Sequence, residues 1–507
     1  MTSTAVNVAQ YLLGGKNPEL VALSFPQSSH SYGGLSTQAG LVASHLLRLG
    51  AQKGDRVVLI ADNSLFWAAC YLGTMQAGLV SVPIASNTQP QDLDDILKSA
   101  EAEIVCAQAS VGAAHAERLA KRHLLTDKDI APSAQAASQR SLSSLASDTT
   151  AATEYASIGR DDLAALIFTS GSTGTPRGVM VSHGNIIANT NSIISYLGLT
   201  QRDRIMVVLP FHYCYGVSLL HTHLRVGGEV VVDNRFMYPE TVLQRLIEAK
   251  CTGFAGVPSH FQILLRSSSL RKKQFPDLRY VQQAGGHLAP SFIHELRAAL
   301  PNSQIFIMYG QTEATARLSY LPPDALAARL GSIGKGIPGV RLRVVKETGR
   351  EVKPGEVGEI LAEGENITGG YWRDAEESET TFRNGVLYTG DLARVDEDGF
   401  IYIVDRAKDF LKCRGEKISC RQLEDVLLEC EELVEAAVIG IPDEVLGEAV
   451  KAFVVPRVKN SSGLEERLAR FCKIRLAPHH LPKKIVVLSV LPKSRAGKVM
   501  KAVLREL

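Results

Sequence analysis

The sequence predicts an α/β protein in which a large N-terminal domain, made of α/β sheet subdomains and a small β-rich subdomain, precedes a small α+β C-terminal domain. Three observations predict this organisation. Helix-period and strand-like segments alternate from residue 36 to about residue 307. Short strand-like segments separated by Gly and Pro follow Gly334. Roughly the last hundred residues then mix both patterns again.

Near the N-terminus, apolar residues recur at helical spacing in two segments, and each segment stops at a glycine, Gly50 or Gly78. The predicted elements are a helix over Ser36–Leu49, a strand over Arg56–Ala61, a helix over Trp67–Ala77 and a strand over Leu79–Ile84. The segment Ala107–Ser157 is rich in Ala, Ser, Thr and Gln and has weak periodicity. We therefore expect it to be a loose connector or a variable surface subdomain.

The alternation continues through the middle of the chain and ends in a compact C-terminal unit. The predicted central elements are strands over Leu163–Phe168 and Val179–Val181, a helix over Asn185–Tyr196 entered through Ser182, and short strands over Val340–Val345, Gly358–Ala362 and Gly399–Val404. The predicted C-terminal elements are helices over Leu423–Cys430 and Leu464–Arg475 and strands over Val434–Ile439 and Ala449–Val455. Polar residues replace a strand at Asp405–Lys408, which divides the chain into domains 1–405 and 409–507.

Composition and charge exclude several classes of protein. The chain has 507 residues with 55 basic and 53 acidic side chains, so a nucleic-acid partner held by bulk basicity is excluded. Eight scattered cysteines without a C-x-x-C pair indicate reduced thiols rather than a disulfide framework or a zinc site. The N-terminus lacks a signal-peptide pattern, and no run of roughly 20 apolar residues is uninterrupted. We therefore expect a cytoplasmic protein without integral membrane association.

The segment Thr169–Gly178 is dense in hydroxyl side chains and glycines, follows a buried strand and carries one positive charge, Arg177. Glycines let backbone N–H groups converge on an anion, and hydroxyls and a guanidinium add donors. The segment therefore predicts a phosphate-binding loop. It is not a Walker loop, because Pro176 stands where that pattern requires its second glycine. The alternative is a flexible surface turn.

Five ordered motifs together resemble the adenylate-forming superfamily of acyl-CoA synthetases, peptide-synthetase adenylation domains and luciferases. They span essentially the whole chain. The motifs are Thr169–Gly178, Tyr309-Gly-Gln-Thr-Glu313, Tyr388-Thr-Gly-Asp391, Asp405–Gly415 and Pro492–Lys498. The resemblance implies a mobile C-terminal domain, with 406–408 as the hinge and Lys408 within it.

The resemblance implies a nucleotide site for ATP and Mg²⁺. The implied phosphate-loop residues are Thr169, Ser170, Gly171, Ser172, Thr173, Gly174 and Arg177, the last replacing the commoner lysine. The implied nucleotide contacts are Tyr309, Gly310 and Gln311 of the adenine-side motif, Thr312 at the α-phosphate, and Asp391 and Arg406 at the ribose. Glu313 is the implied magnesium ligand, and its carboxylate is the hard oxygen donor that Mg²⁺ requires.

The C-terminal domain carries the implied catalytic lysine, Lys498, which would reach the α-phosphate. Lys412 is implied near the adenylate, and Gly415 is implied on the loop that the thiol nucleophile approaches, where a side chain would block the way. Lys417 stands in the same loop, and either an adenylate contact or a solvated charge cluster fits it.

The implied acid-binding residues are His212, as the gate for the carboxylate, and the paired glycines Gly285 and Gly286, with residues 257–259 opposite. Relatives that activate amino acids carry an Asp just after the aromatic residue of this motif. Tyr213 stands at that position, and residues 211–220 contain no carboxylate. An acid without an α-amino group, fatty or aryl, is therefore favoured.

The resemblance implies a two-step ligase that converts a small carboxylic acid and MgATP to acyl-AMP and then to a thioester. The acceptor is CoA or the phosphopantetheine of an acyl carrier protein, and the sequence leaves both open. Three alternatives remain at this point. They are a stand-alone acyl-AMP ligase that loads only a carrier protein, a luciferase-type oxygenase and a catalytically silent nucleotide-binding protein.

Overall fold

A computed structural model describes residues 7–130, 157–170, 176–406, 410–413, 416–443, 446–458, 462–493, 497 and 499–507. Its helices are α1 Val8–Leu13, α2 Tyr32–Arg48, α3 Leu65–Gln76, α4 Pro90–Ser99, α5 Ala109–Ala114, α6 Ala116–Leu119, α7 Asp127–Ile130, α8 His183–Leu197, α9 Cys214–Val226, α10 Pro239–Glu248, α11 Pro258–Ser267, α12 Pro290–Ala299, α13 Ala375–Thr381, α14 Cys420–Leu428, α15 Leu464–Arg475 and α16 Lys501–Arg505. Short 3-10 turns lie at Leu270–Lys272, Thr312–Ala314 and Pro478–His480.

The strands of the described residues follow the same chain order. They are β1 Val21–Phe25, β2 Ser28–Ser31, β3 Arg56–Ile60, β4 Val80–Ile84, β5 Ile104–Ala107, β6 His123–Thr126, β7 Leu163–Ser170, β8 Pro176–Ser182, β9 Arg204–Val207, β10 Glu229–Val232, β11 Gly253–Gly256, β12 Tyr280–Gln283, β13 Gln304–Tyr309, β14 Ser319–Leu321, β15 Lys335–Gly336, β16 Val340–Val345, β17 Val357–Gly364, β18 Phe382–Arg383, β19 Val386–Val395, β20 Ile401–Arg406, β21 Phe410–Cys413, β22 Glu416–Ser419, β23 Leu433–Asp443, β24 Gly447–Pro456 and β25 Lys484–Val487.

The chain folds into two compact units, each assembled from three segments. The first contains Met1–Asn234, Gln311–Arg317 and Gly364–Gly385, and the second contains Arg235–Gly310, Leu318–Glu363 and Val386–Leu507. These units are divided differently from the predicted domains, because the second unit combines residues 235–310 and 318–363 with the C-terminal part of the chain. The domain limits 1–405 and 409–507 stay a prediction.

The first unit contains a six-stranded sheet in the order β6-β5-β3-β4-β7-β8. The pairs along it are parallel except for the last, in which β7 and β8 form an antiparallel hairpin. Parallel strands need crossover connections, and α3 and α4 supply them after β3 and β4. Both faces of the central strands are therefore covered, and β4 is buried at every residue. In the same unit, β9, β10 and β1 pair in parallel, and β2 adds an antiparallel edge.

The second unit contains three groups of strands. Strands β11, β12 and β13 pair in parallel, and β14 and β15 continue this group in antiparallel fashion. Strands β17, β19 and β20 form an antiparallel sheet, which is the small β-rich subdomain expected after Gly334. The C-terminal strands are ordered β22-β21-β24-β23, with β25 parallel to β24. Helices α14 and α15 pack on them around a core that includes Leu423 and Leu468. The mixed α/β fold with a small C-terminal domain is thus confirmed.

Local signals explain the helix limits. Ser182 accepts a hydrogen bond from the Asn185 N–H while the Asn185 side chain accepts one from the Ser182 N–H, a reciprocal cap that starts α8. Gly198 ends α8 in the left-handed conformation, with φ 58°. The predicted helix Leu464–Arg475 coincides with α15. The predicted strand Gly399–Val404 is displaced, because Gly399, with φ +79°, belongs to the turn before β20.

Of the two alternatives expected for Ala107–Ser157, a loose connector or a variable surface subdomain, the loose connector is wrong for the first part of the segment. Helices α5, α6 and α7 and strand β6 occupy this region up to Ile130, and β6 pairs in parallel with β5. Strand β6 was missed because Leu125 is its one buried residue, so no apolar alternation is visible. Residues 131–156 lie outside the described residues.

No helix in the described part of the chain combines the length and the apolar character that a membrane crossing requires.

Two neighbouring glycines give a matched test of the fold. Gly334 has φ +80°, and a Cβ there would lie 1.8 Å from the carbonyl oxygen of Tyr320. Gly331 has φ +82°, and a Cβ there would meet no atom of the described residues within 4 Å beyond its chain neighbours. Left-handed strain costs either alanine variant about 1–2 kcal/mol, and the backbone clash at Gly334 adds about 1–3 kcal/mol.

We therefore expect Gly334→Ala to unfold at a clearly lower temperature than Gly331→Ala. The measurement is the thermal midpoint of each purified variant at one heating rate. Equal midpoints would show that the close approach to Tyr320 is not a constraint.

Candidate active site

The β7–β8 hairpin carries both ends of the predicted phosphate loop. Thr169 pairs with Arg177 and Ser170 with Pro176 across the two antiparallel strands. The predicted binding residues between them, Gly171, Ser172, Thr173 and Gly174, lie outside the described residues. The rigid part of the hairpin therefore fixes where the loop begins and ends.

Arg177 has acidic partners that the sequence did not reveal. Its Nε lies 3.2 Å from Oδ2 of Asp374, and its Nη1 lies 2.8 Å from Oε1 of Glu377. Its guanidinium carbon also lies 5.8 Å from the ring centre of Tyr371. The arginine thus binds the loop strand to the start of α13, and a direct contact with phosphate stays a prediction.

Glu313 is held at both its main chain and its side chain. The main-chain carbonyl accepts hydrogen bonds from the N–H and the hydroxyl of Thr368, each at 3.0 Å. The phenol of Tyr371 donates to Oε1 at 2.9 Å. Glu313 lies in the short turn Thr312–Ala314, and the Thr312 hydroxyl contacts the Sγ of Cys214 at 3.5 Å. A fixed carboxylate of this kind fits a magnesium ion, which binds one or two protein carboxylates in nucleotide sites.

In the second unit, two of the predicted nucleotide residues contact each other directly. The phenol of Tyr309 donates to Oδ2 of Asp391 at 2.6 Å, and Asp391 is 4% exposed. The predicted ribose-side partner Arg406 pairs with Asp391 in the register of β19 and β20. Gly310 follows Tyr309, whereas Gln311 belongs to the first unit. A residue predicted at the adenine, Tyr309, is therefore hydrogen-bonded to a residue predicted at the ribose, Asp391.

His212 follows a turn that a buried asparagine fixes. Oδ1 of Asn63 accepts from the N–H of Phe211 at 2.7 Å, and its Nδ2 donates to the carbonyl of Leu209 at 2.8 Å. His212 itself is half-buried, and its ring centre lies 4.4 Å from that of Tyr213. Asn63 lies 148 residues from Phe211, and no local pattern identifies it.

A small cavity in the first unit lies beside helix α9. The ring of His221 stacks on Tyr71, and the two share a hydrogen bond at 3.1 Å. Burial lowers the pKa of His221 to about 3, so this histidine is neutral at physiological pH. The lining residues are Tyr71, Ala165, Ile167, Val181, Ile186, Asn189, Thr190, Cys214, Val217, Ser218, His221, Thr315 and Ala316. No carboxylate or ammonium group is among these described lining residues.

The paired glycines and the segment expected opposite them are close together in the second unit. A Cβ on Gly286 would lie 3.2 Å from Cγ of Pro258, and Gly285 has φ +84°. The hydroxyl of Ser259 donates to the carbonyl of Gly497 at 3.3 Å. Gly497 has φ +74°, and a Cβ there would lie 2.8 Å from Cγ2 of Val257. The residue that precedes Lys498 in sequence is therefore packed on the start of α11.

Several predicted C-terminal residues lie outside the described part of the chain, namely Lys408, Gly415 and Lys498. Lys412 is exposed on β21, and it pairs in register with Lys417 on β22. The Lys412 N–H donates to the Glu448 carboxylate. Their predicted roles stay predictions.

Arg266 on α11 joins the C-terminal part of the second unit in a way that the sequence did not indicate. Its side chain is 2% exposed, and it pairs with Glu295 at 2.7 Å. It also donates to the main-chain carbonyls of Leu428 at 3.1 Å and Cys430 at 3.2 Å, and to that of Leu433. The Arg266 guanidinium thus caps the C-terminal end of α14, where main-chain carbonyls lack hydrogen-bond partners within the helix.

A second contact joins His287 to α14. Its Nε2 lies 2.7 Å from Oδ1 of Asp425, and the Arg421 guanidinium donates to its Nδ1. Burial and the charge of Arg421 lower the pKa of His287. The imidazole is therefore neutral, with its proton on Nε2 facing Asp425.

Comparisons with known proteins match most of this chain. A family model described as AMP-binding enzyme matches residues 14–372, and one described as AMP-binding enzyme C-terminal domain matches residues 422–498. The medium-chain fatty-acid–CoA ligase of Escherichia coli K12 is 30% identical over 496 residues, which cover 94% of this chain and 86% of that protein.

Solved structures match over nearly the full length. The ATP-bound crystal structure of MatB from Rhodopseudomonas palustris aligns with a TM-score of 0.87 and 30% identity, covering 99% of each chain. The o-succinylbenzoate coenzyme A synthetase of Bacillus subtilis, solved with ATP and a magnesium ion, aligns with a TM-score of 0.82 and 26% identity, covering 99% of this chain and 98% of that one. The chain belongs to the AMP-binding enzyme family and is an AMP-forming acid–CoA ligase.

Proposed function

We propose that this enzyme activates a fatty or aryl acid without an α-amino group and transfers it to CoA. The observation that carries the substrate class is the segment around His212, because residues 211–220 contain no carboxylate to hold an ammonium group. Tyr213, at the N-terminal end of α9, replaces the acidic residue of amino-acid-activating relatives. Relatives named for a medium-chain fatty acid and for o-succinylbenzoate support the same class.

The first step overcomes the low reactivity of a carboxylate, whose leaving group would be oxide. One carboxylate oxygen attacks the α-phosphorus of ATP, pyrophosphate leaves, and the acid becomes acyl-AMP. In our assignment Thr312 and Lys498 contact the α-phosphate, and the Thr169–Gly178 loop binds the β- and γ-phosphates. This arrangement lines up the reactants and stabilises charge in the transition state.

Glu313 would hold magnesium, which lowers the negative charge of the phosphate oxygens when bound. Asp391 accepts hydrogen bonds from the ribose hydroxyls in this assignment, and its carboxylate already accepts one from Tyr309. A carboxylate has acceptor capacity for several such donors. His212 stands at the acid, and its position follows from the Asn63 contacts to the preceding turn.

In the second step the thiol sulfur attacks the acyl carbonyl, the carbon–oxygen bond to AMP breaks, and AMP leaves. Gly415 would lie along the path of the thiol. CoA is the acceptor that the named relatives support, and the phosphopantetheine of an acyl carrier protein has the same reactive group.

Lys498 and Gly415 lie in the same predicted C-terminal domain but serve different steps. Gly497 packs on Val257 and Ser259 in this structure, and both belong to the segment 257–259 predicted at the acid. This placement supports an orientation in which Lys498 serves the first step. For Gly415 to serve the second step, the domain would rotate about 406–408, which would break the contacts that Arg266 makes with α14.

The substrate class is tested by pyrophosphate–ATP exchange with a panel of acids. We expect octanoate-like or benzoate-like acids to support faster exchange than any proteinogenic amino acid, because residues 211–220 contain no acidic side chain to hold an α-ammonium group. An α-amino derivative of the best acid is the matched control and should exchange more slowly than its parent. Strong exchange with a proteinogenic amino acid alone would overturn the assignment.

The two half-reactions are tested separately with Lys498→Ala. Removing one preorganised charge-stabilising donor typically costs about 10²–10³-fold in rate. We expect acyl-AMP formation from acid and ATP to fall by about this factor, while supplied acyl-AMP and CoA still give thioester. The measurement is a pair of single-turnover assays on the purified full-length protein.

Gly415→Leu is the reciprocal variant, because a side chain there would obstruct the thiol but not the nucleotide. It should slow thioester formation and spare acyl-AMP formation. If Lys498→Ala slows both half-reactions equally, the domain rotation does not describe this enzyme.

A further inference from the structure

The buried phenol of Tyr371 lies between the phosphate-loop hairpin and the predicted magnesium ligand. Its main chain forms a β-bridge with Val179 on β8, and the N–H of Trp372 donates to the carbonyl of Gly178 at 2.7 Å. Tyr371 is 8% exposed. The backbone that carries this side chain is therefore part of the same rigid framework as the hairpin.

The contact with Tyr371 makes the two carboxylate oxygens of Glu313 different from each other. The Tyr371 phenol donates to Oε1 at 2.9 Å. An ordinary phenol is protonated at neutral pH and therefore donates this hydrogen bond. Within the described residues, Oε2 receives no hydrogen bond, which leaves it as the oxygen available to a cation.

Arg177 fixes the other side of the tyrosine. Its guanidinium lies over the Tyr371 ring at 5.8 Å and pairs with Asp374 and Glu377 on the same segment. Asp374 also accepts a hydrogen bond from the N–H of Glu377 at 3.2 Å, which caps α13. These contacts fix the segment that carries Tyr371, whose hydroxyl donates to Glu313.

We propose that Tyr371 is a positioning residue for magnesium binding: its phenol holds Oε1 of Glu313 so that Oε2 is presented to the metal. The inference rests on the proposed role of Glu313 as the magnesium ligand. Without this hydrogen bond, the Glu313 side chain would lose conformational freedom when the metal binds, and this loss would weaken metal binding. Groups that orient a metal ligand in this way typically contribute about 10–100-fold to metal affinity.

The test is Tyr371→Phe, which keeps the ring under Arg177 and removes the hydroxyl alone. Calorimetry on the full-length protein gives the affinity for α,β-methylene-ATP with magnesium present and with magnesium chelated. The ratio of the two affinities is the magnesium-linked gain. We expect Tyr371→Phe to lower this gain about tenfold and to leave the metal-free affinity unchanged, which also shows that the variant is folded.

Tyr402→Phe is the matched control, because it removes another phenol–carboxylate hydrogen bond, to Asp396 at 3.2 Å, in the second unit. Its magnesium-linked gain should equal that of the unmodified enzyme. A purely structural role of Tyr371 would lower stability or both affinities together and would leave the ratio unchanged, which would overturn the proposal.

Glu313→Gln separates this inference from the proposed function. If Glu313→Gln loses the magnesium-linked gain and Tyr371→Phe keeps it, the positioning role is wrong and the ligand role stands. If Glu313→Gln keeps the gain, the ligand role is wrong and the positioning role falls with it. If both single variants lose the magnesium-linked gain, the double variant should lose no more of it than Glu313→Gln alone. The reason is that both groups act through the same carboxylate.

Discussion

The hydrogen bond from the Tyr371 phenol to the Glu313 carboxylate holds together the part of the first unit that carries the predicted phosphate loop. It joins two segments that are 58 residues apart, and Arg177 adds a third through its pairs with Asp374 and Glu377. Tyr371 is buried, where an unpaired phenol would be costly, whereas Glu313, Arg177, Asp374 and Glu377 are partly exposed. The loop strand, the acidic turn and the start of α13 therefore hold one another in place.

A comparable constraint acts in the second unit, where the main chain of Gly497 packs closely against the side chains of Val257 and Ser259. Gly497 tolerates no side chain beside Val257, and its carbonyl accepts from Ser259. Arg266 and His287 add polar contacts to α14. Polar contacts of Arg266 and His287 and the close packing of Gly497 therefore join the C-terminal segments to the rest of the second unit.

The sequence predicts the local features of this protein well. The limits of α15, the Ser182 cap and the strand–loop–strand arrangement around Thr169–Gly178 follow from periodicity and short motifs. Contacts between distant residues were not predictable. Asn63 and Phe211 are 148 residues apart, and Arg266 and Leu433 are 167 apart. No periodicity relates such pairs, and a buried arginine has the same sequence signature as an exposed one.

The account holds that one oxygen of the acid becomes bonded to the α-phosphorus of ATP and leaves with AMP. The most direct measurement uses an acid labelled with ¹⁸O in both carboxylate oxygens, together with MgATP and CoA, and determines the isotope content of the products by mass spectrometry. The account predicts that AMP gains one ¹⁸O atom and that pyrophosphate gains none. Unlabelled AMP, or ADP formed together with labelled phosphate, would contradict it.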